Sequence, residues 1–281
     1  MYVVLALAAA AAFGAADFLG GLASRRAPIV TVILVSQAVG LGFLAILAPL
    51  LDPPAGTEAL AFGALAGLAY GGGILMLYRA LAIGRMSVVA PITGVLALAL
   101  PVAFGLLTGE HPGPTAFSGI GLAALSIVLI SREPSAPAGP PPEPLAGRAV
   151  PIALGAGVGM GLFFIALGQT SARDGLWPLL AARVVSTGGF ALLALLTRAA
   201  LGLPKAVRIL ALAGGVLDLL ANLFYLLAVR QGLISLAATL TSLYPAATVL
   251  LAALVLRERI RGAQALGLAS AFAAVWLITA R

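Results

Sequence analysis

Ten runs of apolar residues divide the chain, at about 2–23, 29–51, 57–79, 86–108, 114–131, 149–170, 176–198, 206–229, 233–256 and 263–280. Roughly 20 such residues are needed for a helix to cross the hydrocarbon of a bilayer. None of the runs alternates polar with apolar residues as a barrel strand does, so each predicts a membrane helix. Polar residues gather in short breaks between the runs. The one long break, 132–148, carries Pro134, Pro137, Pro140, Pro141, Pro142 and Pro144 and predicts an extended linker with no fold of its own. The first run has no basic segment before it and a second run follows at once. It therefore predicts a first membrane helix rather than a cleaved signal.

A repeat underlies this pattern. Adding 148 to Gly84, Ser87, Ala90, Thr93, Glu110, Gly119 and Ile130 gives Gly232, Ser235, Ala238, Thr241, Glu258, Gly267 and Ile278 with no gap. Alanine and leucine matches carry little weight in so apolar a chain, but a carboxylate and two glycines in register do. The predicted fold is an all-α integral membrane protein of ten transmembrane helices, built as two five-helix repeats at 1–131 and 149–281. Five is odd, so the second copy enters the membrane from the side opposite to the first, and the repeats are inverted.

Composition agrees with the pattern. Hydrophobic residues make up 62% of the 281 and charged residues 9%, against about 25% charged in soluble domains. The net charge of +7 sits in loops and does not predict nucleic-acid binding. Loops after odd-numbered runs hold Arg25, Arg26, Arg79, Arg85, Arg132, Arg148, Arg198, Lys205, Arg208, Arg257, Arg259 and Arg261. The opposite loops and the termini hold Arg173, Arg230 and Arg281, and that side also holds Asp52, Glu58 and Glu110. By the positive-inside rule the linker is cytoplasmic and both termini are outside. There is no cysteine and one histidine, His111. Neither a disulfide, a metal cluster nor a catalytic constellation is therefore expected.

Polar groups inside the runs are the candidates for chemistry, because each costs a few kcal/mol in hydrocarbon unless it meets water or a partner. Asp17 lies mid-run among Gly14, Gly21 and Ser24. It could bind a proton, a cation or an amine, or it could pair with a basic group such as Arg183. Asp218, Asn222 and Tyr225 are spaced four and three and form one stripe on the eighth run. Tyr70, the repeat counterpart of Asp218, shares a face of the third run with Tyr78. Thr241, Tyr244 and Thr248 share a face of the ninth run beside Pro245, and Pro91 and Pro101 interrupt the fourth. Mid-span prolines often mark kinks beside a cavity, although threonines also join helices with no ligand present. Gly63, Gly67 and Gly71, and likewise Gly157 and Gly161, predict close helix packing. Glu110 and Glu258, at helix ends, are expected to cap the following helix or to pair with arginine.

The segments Gly84-Arg-Met-Ser-Val-Val-Ala90 with Pro101, Glu110 and Gly119, and Gly232-Leu-Ile-Ser-Leu-Ala-Ala238 with Pro245, Glu258 and Gly267, resemble the EamA family of the drug/metabolite transporter superfamily. With the ten runs, the resemblance covers nearly the whole chain. It implies transport of small metabolites by alternating access around a central cavity lined by helices 1, 3, 4, 6, 8 and 9. Asp17, Tyr70, Tyr78, Asp218, Asn222, Tyr225, Thr241 and Tyr244 stand on those helices and are the expected substrate-binding residues. The chain departs from its relatives in two ways. Asp17 lies where relatives often carry a Trp–Gly segment, echoed only by Phe13-Gly14. Relatives are also usually described with cytoplasmic termini, against the charge bias found here.

The expected function is secondary transport, in the export direction, of an amino-acid-like or related small solute across a plasma (inner) membrane. A coupling proton and the bilayer are the other expected partners, and no cofactor is called for. Both repeats lie in one chain, so a monomer suffices. A lipid-linked substrate flippase and a non-transporting scaffold or receptor are the alternatives.

Overall fold

The computed structural model describes residues 1–24, 26–83, 86–131, 146–255, 257, 260 and 262–280, the side chains of residues 78, 81–83, 86–88, 90–91, 146–148 and 252 excepted. Among these the elements are helices α1 (Tyr2–Ser24), α2 (Ile29–Leu51), α3 (Thr57–Ile83), α4 (Met86–Leu107), α5 (Pro114–Ile130), α6 (Ala146–Gly168), α7 (Trp177–Leu196), α8 (Lys205–Val229), α9 (Ile234–Thr241), α10 (Tyr244–Val255) and α11 (Gly262–Thr279), plus a 3-10 turn at Ala172–Asp174. No strand is present among the described residues. The expectations placed on residues 132–145, on Gly84 and Glu258, and on the side chains of Tyr78, Ser87 and Pro91 lie outside what the structure describes.

Eight helical stretches among the described residues are long and apolar enough to cross a membrane: Tyr2–Ser24, Ile29–Leu51, Thr57–Leu77, Ala149–Gly168, Trp177–Leu196, Lys205–Val229, Ile234–Val255 and Gly262–Thr279. The fourth and fifth apolar runs give shorter stretches, Ile92–Leu107 and Pro114–Ile130. Two boundaries differ from the sequence pattern. The linker was expected to run through Arg148, but α6 begins at Ala146. Gly147 and Arg148 are not apolar, so hydropathy alone starts the helix too late. The ninth run, expected as one helix, breaks at Ser242 and Leu243. Pro245 has no N–H for the Thr241 carbonyl, and its ring clashes with that carbonyl. The chain passes the break with tighter bonds, from the Leu243 N–H to the Leu240 carbonyl and from the Ala246 N–H to the Leu243 carbonyl.

The duplication is visible in the helix starts. Adding 148 to Ile29, Thr57, Met86 and Pro114 gives Trp177, Lys205, Ile234 and Gly262, the starts of α7, α8, α9 and α11. The packing is reciprocal as well. α3 packs on α6 and α7, while its counterpart α8 packs on α1 and α2. Gly67 leaves no room for a Cβ against Ala182 of α7, and Gly215, 148 residues on, leaves none against Ser36 of α2. At the α5–α11 contact Gly119 abuts Ile278 while Gly267 abuts Ile130, so both repeat-related pairs meet crosswise. These are the contacts of a two-fold exchange of halves.

Contacts between loops sort the helix ends into two groups. Asp52 meets Leu176, Glu110 meets Ile234, Gly232 meets Tyr2, and Thr115 bonds to the Ala280 carbonyl. At the other end Thr31, next to the α1–α2 loop, donates to the Ala200 carbonyl in the α7–α8 loop. Large apolar side chains such as Phe272, Trp276 and Leu254 face outward, whereas Gln37, Arg183, Asp218 and Asn222 are buried. An apolar exterior around a polar interior is the arrangement a bilayer favours.

Candidate functional site

Halfway along α3 and α8 the repeat-related residues Tyr70 and Asp218 meet. The Tyr70 hydroxyl donates to Asp218 Oδ1 at 2.7 Å. The other carboxylate oxygen, Oδ2, forms an ion pair with Arg183 of α7. Arg183 is only 4% exposed, and its guanidinium also lies 5.8 Å from the centre of the Tyr70 ring. Gly40 of α2 gives it space, since a Cβ there would come within 3.0 Å of Nε. Both oxygens of Asp218 are thus engaged, and its charge is compensated. The sequence left Arg183 as a partner for Asp17; the structure gives it to Asp218 instead.

Asp17 is placed differently. It lines two neighbouring cavities and has no hydrogen-bond partner among the described residues. The first cavity, about 40 Å³, lies between α1, α2, α3 and α8 and is bordered by Asp17, Ser36, Gln37, Tyr70 and Asp218. The second, about 30 Å³, is bordered by Asp17, Phe13, Tyr70, Phe163, Phe164 and Tyr244. Volumes of this size hold a few water molecules. A metabolite enters only if the helices part.

Of the residues singled out in the sequence, the structure brings Asp17, Tyr70, Asp218 and Tyr244 to these cavities. Asn222, Tyr225 and Thr241 bond to main-chain carbonyls. Asn222 donates from Nδ2 to the main-chain oxygen of Asp218 one turn back, at 2.6 Å. Tyr225 is fully buried and its hydroxyl donates to the Phe164 carbonyl at 2.7 Å. Thr241 donates to the Ala6 carbonyl at 3.4 Å. Gln37 was missed. It is 2% exposed, faces the first cavity, and its Oε1 has no partner. A buried glutamine within an apolar run was the available signal. Phe163 and Phe164 were missed too, because two adjacent phenylalanines in such a run carry no polar mark. Their rings stack into the group that holds Tyr70 and Tyr225 in place.

The glycine spacings act in packing, with Gly63 and Gly67 against α7 and Gly157 and Gly161 against α4. Glu110 corrects an expectation. It does not cap the following helix, α5. Its two oxygens accept the N–H groups of Ile234 and Ser235, at the start of α9 in the other half. Gly105 leaves room for that carboxylate, since a Cβ there would stand 2.3 Å from Oε2. Asp52 likewise accepts the Leu176 N–H at 2.9 Å, across to the loop before α7. Arg230 closes the same end, donating to the Gly175 carbonyl and to Thr170 Oγ1. Burial lowers the pKa of Arg230, while nearby Asp174 and Asp52 raise it.

The fold and site define a class: a duplicated, all-helical membrane protein whose two halves meet at a buried polar centre. The family model of the EamA-like transporter family matches residues 1–132 and 147–280, and the chain belongs to that family. A solved crystal structure of a protein superposes with a TM-score of 0.80 and 17% sequence identity, over 99% of this chain and 96% of that one. This likeness concerns the fold. No curated protein matches the sequence. The chain is a membrane transporter by family, of the drug/metabolite type.

Proposed function

We propose that the protein is a secondary transporter that carries a small organic metabolite, amino-acid-like or a related solute, out of the cell by alternating access. In this reading all ten apolar runs cross the plasma (inner) membrane, the two halves are inverted, and the arginine-rich loops are cytoplasmic. The sorting of loop contacts into two ends supports the antiparallel crossings. The observation that carries the reading is the unpaired Asp17 carboxylate in the cavities between the halves, beside an Asp218 already satisfied by Arg183 and Tyr70. A scaffold has no use for an uncompensated carboxylate at membrane depth, whereas a carrier uses one to bind a proton or a substrate. Asp17, Tyr70 and Tyr244 are the proposed contacts, with Asp218 as the fixed wall.

The test is uptake of labelled solutes into proteoliposomes of the purified chain, with and without a pH gradient. Saturable uptake that responds to the gradient is the expected result. A panel of amino acids, amines and related metabolites that never accumulates above protein-free vesicles contradicts the reading.

A further inference from the structure

The first cavity is bordered by two polar side chains, one half-buried and one buried, that lack partners among the described residues. One is the Asp17 carboxylate, and the other is the Gln37 amide, whose Oε1 has no partner. They come from adjacent helices, α1 and α2, and border the same space. The Asp17 carboxylate and Gln37 Oε1 are both acceptors, so the partner that satisfies them is a donor. Leaving acceptors unpaired in an apolar surround is costly, and a ligand that donates to both recovers that cost.

Charge narrows the donor further. Asp218 and Arg183 neutralise each other. The net charge beside the cavity is then that of Asp17 alone, which selects a cation over a neutral alcohol. An ammonium head offers three N–H donors on one positive atom. It is also the size of a water molecule, which is what the cavity of about 40 Å³ accommodates. The second cavity shares Asp17 and is walled by Phe13, Phe163, Phe164 and Tyr244. Aromatic faces there suit an apolar or aromatic group carried by the same molecule, and they add attraction for the cation.

A substrate carboxylate finds no equivalent place. The nearby cation, Arg183, is paired with Asp218 through Nη2. Although its Nη1 has no partner among the described residues, it is buried and the residue borders neither cavity, so an anionic group in them would lie against Asp17 and Asp218 instead. Rejection of this kind gives specificity by repulsion. We infer that the site takes a monovalent organic amine with an apolar or aromatic body and no carboxylate, its ammonium held between Asp17 and Gln37. This rests on the transporter reading and narrows its substrate class from amino-acid-like solutes to amines.

The test is isothermal titration of the detergent-purified full chain with three probes of similar shape: phenethylamine, phenylalanine and 3-phenylpropionate. Phenethylamine is expected to bind saturably, and the other two about ten-fold more weakly or less. Asp17→Asn should weaken the amine about thirty-fold, and Gln37→Leu about five-fold. Asp17→Glu, which keeps the charge, should retain saturable binding, and size-exclusion profiles show that each variant is folded. Phenylalanine binding as tightly as phenethylamine, an unchanged affinity in folded Asp17→Asn, or no saturable amine binding by the wild type would each overturn the inference. If the amine binds as expected but no labelled amine moves in vesicles, the transport reading fails while the site stands.

Discussion

At the scale of single residues, two carboxylates on neighbouring helices have opposite circumstances. Asp218 has a cation and a hydroxyl, and Asp17 has neither. Their substitutions should therefore differ in kind. Asp218→Asn leaves Arg183 buried without its counter-ion, and loss of one partner of a buried pair costs about 3–5 kcal/mol. The expected outcome is a markedly lower melting temperature in detergent, largely restored in the Arg183→Met/Asp218→Leu double variant. A single variant that melts like wild type would return Asp218 to the list of ligand contacts. Asp17→Asn removes a half-buried charge that no partner compensates, so the protein should be as stable as wild type or more so while solute movement is lost. Asp17 and Asp218 were both legible in the sequence as polar residues in apolar runs. Which of them is paired was not, because Arg183 lies on another helix from both and spacing along the chain does not say which carboxylate it faces. Gln37 was overlooked because an amide has no charge to mark it.

At the scale of elements, apolar length and proline position account for most of what the helices do. The runs at 29–51 and 206–229 come within a residue of α2 and α8. Pro245 was read as a mark of irregularity, but the place where α9 ends follows from the carbonyl it leaves unbonded at Thr241. Capping was hidden for a different reason. Glu110 and Asp52 act on helix starts in the other half, more than a hundred residues away, and local rules look only a few residues ahead. Glu110→Ala removes the acceptor for two N–H groups of α9 and should cost about 1–2 kcal/mol. Glu110→Gln keeps one carbonyl acceptor and should cost less. Thermal unfolding of both, with hydrogen exchange across residues 234–241, checks the order. Faster exchange confined to α5 would mean that the carboxylate serves its own hairpin after all. Gly175, at φ +52° and pressed against the Asp52 side chain, joins the same end. Gly175→Ala should weaken that junction through both strain and contact.

At the scale of the whole molecule, the duplication was the most legible feature, since a gapless offset predicts helix starts that the structure reproduces from α2 onward. What the offset could not show was that Tyr70 and Asp218, equivalent in sequence, would touch each other. Residues related by a two-fold axis meet only on that axis, so this contact marks where the halves turn. Orientation belongs to this scale as well. A phosphatase fused at residue 281 should be active, and one fused within 134–144 inactive, if the arginine-rich loops are cytoplasmic. The reverse would invert the molecule in the membrane without changing its fold. The central claim is the proposed alternating access, which predicts that α3 and α8 tilt about the Tyr70–Asp218 contact, so that opening one end closes the other. Thr57 lies 13 residues before Tyr70 on α3 (70 − 57) and Gln231 13 residues after Asp218 (231 − 218), just past the end of α8, each roughly 20 Å from the contact at about 1.5 Å per helical residue. Arg79 and Lys205 lie on the opposite arms. The chain has no cysteine, so cysteine pairs at Thr57/Gln231 and at Arg79/Lys205 can be spin-labelled without background. The most direct measurement is electron–electron double resonance on both pairs in liposomes, with and without phenethylamine. The account predicts that when the ligand lengthens one distance it shortens the other. Distances that stay single and unchanged, or that lengthen together, would contradict it.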